Sequence, residues 1–206
     1  SARISDIRQP GLERVVEFEL EHLNELGDPC KKVLIMELMG KHSNIIFCDD
    51  KNMILDSIKH VSSHMSSVRE VLPGREYFIP QTQDKLDPLT VDEETFIEVV
   101  CKKPCNISRA IYSSLTGISP VVAEEVCFRA SVDGSEAAQA LDETAQVHLY
   151  HTFCRLMDQV KEGDFSPNII YRGEEPVEYG VFAFQQYGPE YHSVEFDSVS
   201  EMLETY

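Results

Sequence analysis

The sequence predicts an α+β fold, with an antiparallel β-sheet at the front, a helix-hairpin-helix bundle in the middle and a short extended C-terminal part. Three observations carry this expectation. Residues 32–58 alternate apolar runs with short polar turns, the spacing turns helical after Thr90, and NIIY and VEYGVFAF read as extended chain near the end. The expected boundaries are a β domain with a long connection over 1–89, a helical region over 90–164, and an extended tail over 165–206 that returns to the β domain and ends in a short helix.

The first element is the stretch PGLERVVEFELE, residues 10–21. A two-residue period places Leu12, Arg14, Val16, Phe18 and Leu20 on one face and Glu13, Val15, Glu17, Glu19 and Glu21 on the other. The first face is the expected core face, which puts Arg14 in step with it. Arg14 then has three explanations: it leaves from a sheet end, it pairs with a carboxylate such as Glu37, or it is displayed for a ligand. Next come LNELGDPCKK as a turn, KVLIMELM (32–39) as a nearly continuous apolar strand, GKHSN as a turn, IIFC (45–48), the turn DDKN, and MILDSI (53–58). Strands joined by such short turns pair as neighbours. Residues 59–89, punctuated by Ser and Pro, have no sustained period and are expected to lie over the sheet.

From Thr90, a Thr90/Glu93 capping box predicts a helix start. Residues 106–130 read as helix, tight turn, helix, with Gly117 ending the first, Ser119 capping the second and Pro120 in its first turn. Ser135 is expected to cap a third helix running to about Lys161 and ended by Gly163, and Ser198 with Glu201 predicts a last short helix.

The formal net charge is −18, and it is uneven: residues 1–90 carry 11 basic and 15 acidic side chains, residues 91–206 carry 7 and 21. A polyanion is repelled at range by such a chain, so any nucleic-acid contact must be local or helped by parts outside this chain. No run approaches the roughly 18 apolar residues of a membrane span, and the N-terminus lacks a signal-peptide pattern. A cytoplasmic protein with no membrane partner is expected, and its six cysteines, lacking disulfide spacing, are expected as free thiols. Cys101 and Cys105 have a metal-ligand spacing, but no second pair follows and Pro104 interrupts; His148 and His151 lack the zincin spacing. No metal or cofactor is expected, and without a G-x-S-x-G, P-loop or G-x-G-x-x-G pattern the chain does not read as an ordinary hydrolase or NTPase. The hairpin turn Thr116-Gly117-Ile118-Ser119 offers backbone amides to a phosphate at a helix N-terminus, with Arg109 and Arg129 on its flanks against Glu124 and Glu125. Two packed helices without a ligand explain it equally well.

GLERVVEFEL with NELGD, ELMGKHSNIIFCD, ILDSIKHVS, VLPGREYFIP, KLDPL and LTGISPVVAEEV, in that order, resemble the NFACT family, which includes RqcH and the fibronectin-binding protein A-like (FbpA) proteins. The resemblance covers a central part of such proteins, beginning inside the N-terminal NFACT-N domain and stopping before the coiled coil and the C-terminal NFACT-R domain. It implies a glycosylase N-terminal-like sheet without glycosylase chemistry, followed by a helix-hairpin-helix. It also implies a non-enzymatic ribosome quality-control factor that binds the large ribosomal subunit carrying a stalled nascent chain. Such a factor recruits tRNA, alanyl-tRNA in bacteria, and supports C-terminal tailing. The family's Asp-Arg motif for tRNA engagement falls on Glu13 and Arg14, with glutamate here in place of aspartate. A fibronectin-binding surface adhesin and a non-catalytic scaffold are the alternatives. An uncovered sheet edge or apolar patch, closed by self-association, is a further expectation.

Overall fold

The computed structural model describes residues 2–80 and 84–206 and divides into two compact units, Ser1–Asp84 and Lys85–Tyr206. The first unit is an antiparallel meander of five strands in sequential order: β1 (Ala2–Arg8), β2 (Val15–Leu23), β3 (Pro29–Glu37), β4 (Asn44–Asp49) and β5 (Ile54–Ser57). Register across the centre runs Val15 to Glu37 to Asn44 and Glu17 to Ile35 to Ile46. Every side chain's face follows from that register, because neighbours directly opposite share a face.

The core of this unit lies on the face opposite to the one expected. Val15, Val33, Ile35, Ile46, Cys48 and Ile54 are buried together with Val71 and Tyr77 from the connection after β5, and Val61 and Ile79 pack against them. Val16, Phe18 and Leu20, which the alternation assigned to the core, are only half-buried. Across from them, Ile4 and Ile7 of β1 are 54% and 57% exposed. The reason is that β3 and β4 are apolar on both faces, so the side that is covered is decided by the connection. An apolar patch is therefore present, as the second face of this sheet. At the β1 side of the covered face the apolar residues give way to ion pairs, Arg8 to Glu17 at 2.7 Å and Lys31 to Glu19 at 2.7 Å.

The second unit is helical with a small sheet of its own. It contains α1 (Glu93–Phe96), continued by a π-helical turn Ile97–Cys101, α2 (Ile107–Ser114), α3 (Pro120–Arg129) and α4 (Glu143–Glu162). Side-chain caps set the starts: Asp92 accepts from Thr95, Asn106 from Arg109, Ser119 from Val122 and Asp142 from Ala145. Two expectations are corrected here. Asp92, one residue before the helix, takes the cap assigned to Thr90; and α4 starts at Asp142, because Asp133 accepts from the Ser135 amide in a tight turn and a 3₁₀ turn over Ala138–Ala140 intervenes. Gly163 ends α4 at φ +68°, a left-handed geometry that glycine adopts without strain.

The expected tail forms a three-stranded sheet of its own within the second unit. β6 (Asn168–Arg172) pairs on one side with β7 (Glu175–Gly180) and on the other with β8 (Tyr191–Glu195), and α5 (Val199–Thr205) follows. The compact division also falls at 84/85, a few residues before the expected 89/90, since Leu86 already exchanges backbone bonds with Ser114 and Thr116 of the second unit.

All six cysteines are free thiols. Burial pushes Cys48 and Cys101 up to about 11 and Cys127 up to about 12, whereas Cys30, Cys105 and Cys154 are only half-buried. Because the folded values are raised, the neutral thiols favour the folded state fully below pH 9.0 and that contribution is lost as the pH climbs toward 11–12. At pH 8, therefore, Cys48, Cys101 and Cys127 should alkylate at the global unfolding rate and the other three faster, as followed by mass spectrometry with iodoacetamide; six equal rates would contradict this core assignment.

Candidate nucleic-acid interface

Glu13 and Arg14 end the connection between β1 and β2. The loop is shaped by Gly11 at φ +53°, by the Glu13 amide donating to the Pro10 carbonyl at 3.1 Å, and by Gln9 Nε2 donating to the Glu13 carbonyl at 2.8 Å. Leu38 N–H then donates to the Arg14 carbonyl at 2.8 Å, anchoring the Arg14 backbone beside the end of β3. Its side chain is in solvent. Arg14 stands one residue before the strand and is exposed, so of its three explanations the sheet-end exit is the observed geometry. Glu13 is half-buried, and among the described residues no ion pair joins its carboxylate to Arg14. The guanidinium is thus held at its root and free at its tip.

Glu37 is taken by another cation. Arg69, in the connection, places Nη2 at 2.5 and 2.6 Å from the two Glu37 oxygens, donates from Nη1 to the Phe78 carbonyl at 2.6 Å, and lies 5.4 Å from the Tyr77 ring centre. Tyr77 donates its hydroxyl to Glu37 at 3.0 Å, and its burial beside that carboxylate pushes the phenol well above its ordinary value. Sequence reasoning missed this cluster. Its only linear signal is Glu37 interrupting an apolar strand, and its partner lies 32 residues away in a polar segment.

The hairpin turn is arranged for packing. Gly117 turns the chain at φ +73° and is exposed, but Ile118 is buried, Ser119 Oγ is occupied by the Val122 amide, and the Thr116 amide donates to the Leu86 carbonyl at 3.0 Å. Its flanking cations are also engaged: Lys85 Nζ donates to the Tyr112 carbonyl and Lys103 Nζ to Ser114 Oγ, at 3.0 and 2.9 Å. Arg129 is held by buried Glu125 at 2.6 Å and by the Ala183 carbonyl at 2.7 Å, which leaves Arg109 as the exposed arginine of the hairpin. The weight of the candidate interface therefore falls on the Arg14 end of the first sheet. Cys101 is buried at the end of the π-helical turn, and no group of three or more metal-ligating side chains occurs among the described residues.

This fold, a five-stranded meander followed by a helical unit, is that of a known family. The chain matches the model for the NFACT N-terminal and middle domains over residues 1–206 and belongs to the NFACT family. It is 33% identical over 204 residues to the Rqc2 homolog RqcH of Bacillus subtilis, which covers 98% of this chain and 33% of that protein. The chain thus spans about a third of the length of that relative. Among solved structures, the N-terminal part of the fibronectin/fibrinogen-binding protein of Streptococcus suis is 28% identical, with a TM-score of 0.72, covering 100% of this chain and 67% of that one. The fibrinogen-binding protein of Staphylococcus aureus shares the fold at a TM-score of 0.76 and 24% identity, over 99% of this chain and 70% of that one.

Proposed function

We propose that this chain serves in the cytoplasm as a non-catalytic binding module of ribosome-associated quality control, contacting the large ribosomal subunit and tRNA and supporting tailing of stalled nascent chains. The observation that carries this reading is the likeness to an RqcH over 98% of the chain, with Arg14 of the family's paired motif displayed in solvent. Alanyl-tRNA is the expected species by the family resemblance. Glu13 keeps the negative charge of the motif's aspartate with a side chain one methylene longer, and Glu13→Asp is expected to retain tRNA at least as well as the natural residue.

Fibronectin binding is the second reading, favoured by the solved relative from Streptococcus suis that covers the whole chain. Parallel binding assays separate the two. Co-sedimentation with isolated large ribosomal subunits charged with tRNA, without capture by immobilised fibronectin, is the expected outcome; the opposite pattern would replace the first reading with the second.

A further inference from the structure

We infer that Lys41, His42 and Lys59 continue from Arg14 as a rim that binds successive backbone phosphates of one RNA strand. This rests on the reading of Arg14 above and extends it to residues that no comparison assigns. The meander places the β1–β2 and β3–β4 connections and the exit from β5 at one end of the sheet, and the β2–β3 and β4–β5 turns at the other. At the first end, residues 9–14, 38–43 and 58–60 carry Arg14, Lys41 and Lys59 against Glu13 alone, with His42 and His60 beside them. At the second, residues 24–28 and 50–53 carry Glu25, Asp28 and Asp50 against Lys51. The sheet is therefore electrically polarised along its strands, within a chain of net charge −18.

Ion pairing among the described residues leaves the rim's cations, like Lys32 and Lys51, without a carboxylate partner. Five cations of this unit are neutralised by carboxylates: Arg3 by Glu21, Arg8 by Glu17, Lys31 by Glu19, Arg69 by Glu37 and Arg75 by Glu70. Arg14, Lys41 and Lys59 have no carboxylate oxygen within 4.0 Å among the described residues. Their backbones, in contrast, are fixed. Asn44, 7% exposed, accepts from the Lys59 amide at 2.9 Å and donates to the Lys59 carbonyl at 2.9 Å. The turn bearing Lys41 and His42 is closed by His42 N–H to the Met39 carbonyl at 3.1 Å and by Met39 N–H to Ser43 Oγ at 2.9 Å. Lys59 Nζ reaches the Lys41 carbonyl at 3.2 Å, which brings the two lysines together.

Three strand spacings of about 4.8 Å separate Arg14 from Lys59, so the rim runs for about 14 Å. That is longer than one phosphate and suits a strand carrying evenly spaced single charges. Fixed roots with cationic tips that no carboxylate neutralises fit backbone contact, which positions a nucleic acid without reading its sequence. Local counterion release then supplies what the net charge of the chain opposes.

The test is fluorescence anisotropy of the 206-residue chain with labelled deacylated tRNA between about 50 and 200 mM KCl. Lys41→Ala with Lys59→Ala should weaken binding about tenfold at the lowest salt and lower the log–log salt slope by about 2, while Lys51→Ala at the other end should change neither. If Arg14→Ala weakens binding and the double lysine variant does not, the rim is wrong and the reading of Arg14 stands. Absence of binding by the unaltered chain would overturn both. Equal losses from Lys51→Ala would show that only net charge matters, and displacement of the tRNA by poly-glutamate at equal charge would assign the rim to an acidic polypeptide; either result contradicts the inference.

Discussion

Replacing Glu37 with alanine should destabilise the first unit by about 3–5 kcal/mol, the cost of leaving one member of a buried ion pair without its partner. Glu37 is 1% exposed and the Arg69 side chain 11%, so water cannot replace the lost carboxylate. The variant would strand a guanidinium held only by the Phe78 carbonyl, and the Tyr77 hydroxyl with no acceptor. The arrangement is also what fastens residues 61–79 over Val15, Ile35 and Ile46, so the apolar covering should loosen with it. Removing all three polar groups together, as Glu37→Leu, Arg69→Met and Tyr77→Phe, should recover most of the loss, because a buried pair contributes little over well-packed apolar replacements. Urea denaturation followed by far-UV circular dichroism reads both variants, since Tyr77 is the one tyrosine in the sequence of residues 1–84 and the triple variant lacks it. A single Glu37→Ala loss below about 1 kcal/mol would place this pair among ordinary surface bridges.

Glu125→Ala should cost the second unit a similar amount, about 3–5 kcal/mol. This carboxylate is fully buried on α3 and accepts from Arg129 Nε at 2.6 Å, from the Gln185 amide at 2.9 and 3.0 Å, and from the Gln186 amide at 3.1 Å. It serves as a capping group for a loop rather than for a helix. Arg129 Nη2 to the Ala183 carbonyl at 2.7 Å and Gln186 Nε2 to the Val121 carbonyl at 3.1 Å draw the same loop onto α3. Losing the carboxylate would leave two backbone amides and a cation short of an acceptor, each costing about 1–3 kcal/mol if water does not reach it. Glu125→Gln keeps one acceptor oxygen and should lose about half as much. Protection of the Gln185 and Gln186 amides in hydrogen exchange is the direct readout: protection unchanged in Glu125→Ala would show that the loop is held by other contacts.

These two carboxylates also show where linear reasoning stops. The runs KVLIMELM and IIFC announced β3 and β4, and Gly117, Ser119 and Pro120 announced the hairpin, because each signal is local. The face of the sheet was a different matter. Alternation in β2 favoured Val16, Phe18 and Leu20, but Val33 and Ile35 of β3 and Ile46 and Cys48 of β4 lie on the other side, and continuous apolar runs do not say which side is covered. Arg69 and Tyr77 make that choice by meeting Glu37, through contacts 32 and 40 residues apart. Likewise Glu125 reads as one more acid on an acidic helix until the loop 60 residues later supplies its amides. β8 carried no signal because Tyr191–Glu195 is mostly exposed and its pattern is largely polar, so pairing with β6 defines it. At the candidate interface, Arg14 could be singled out from its misfit in the pattern and its motif. Its neighbours Lys41 and Lys59 could not, since only the meander's topology brings them to one end.

The proposed function has Arg14 engaging tRNA on the ribosome. Its most direct test is retention of alanyl-tRNA on isolated large subunits incubated with the chain or with its Arg14→Ala variant, with circular dichroism confirming that both are folded. Arg14 is exposed and makes no side-chain bond among the described residues, so the variant should keep its stability within about 0.5 kcal/mol. That engagement predicts a loss of retained tRNA of about tenfold with the fold intact. Undiminished retention by Arg14→Ala would contradict it.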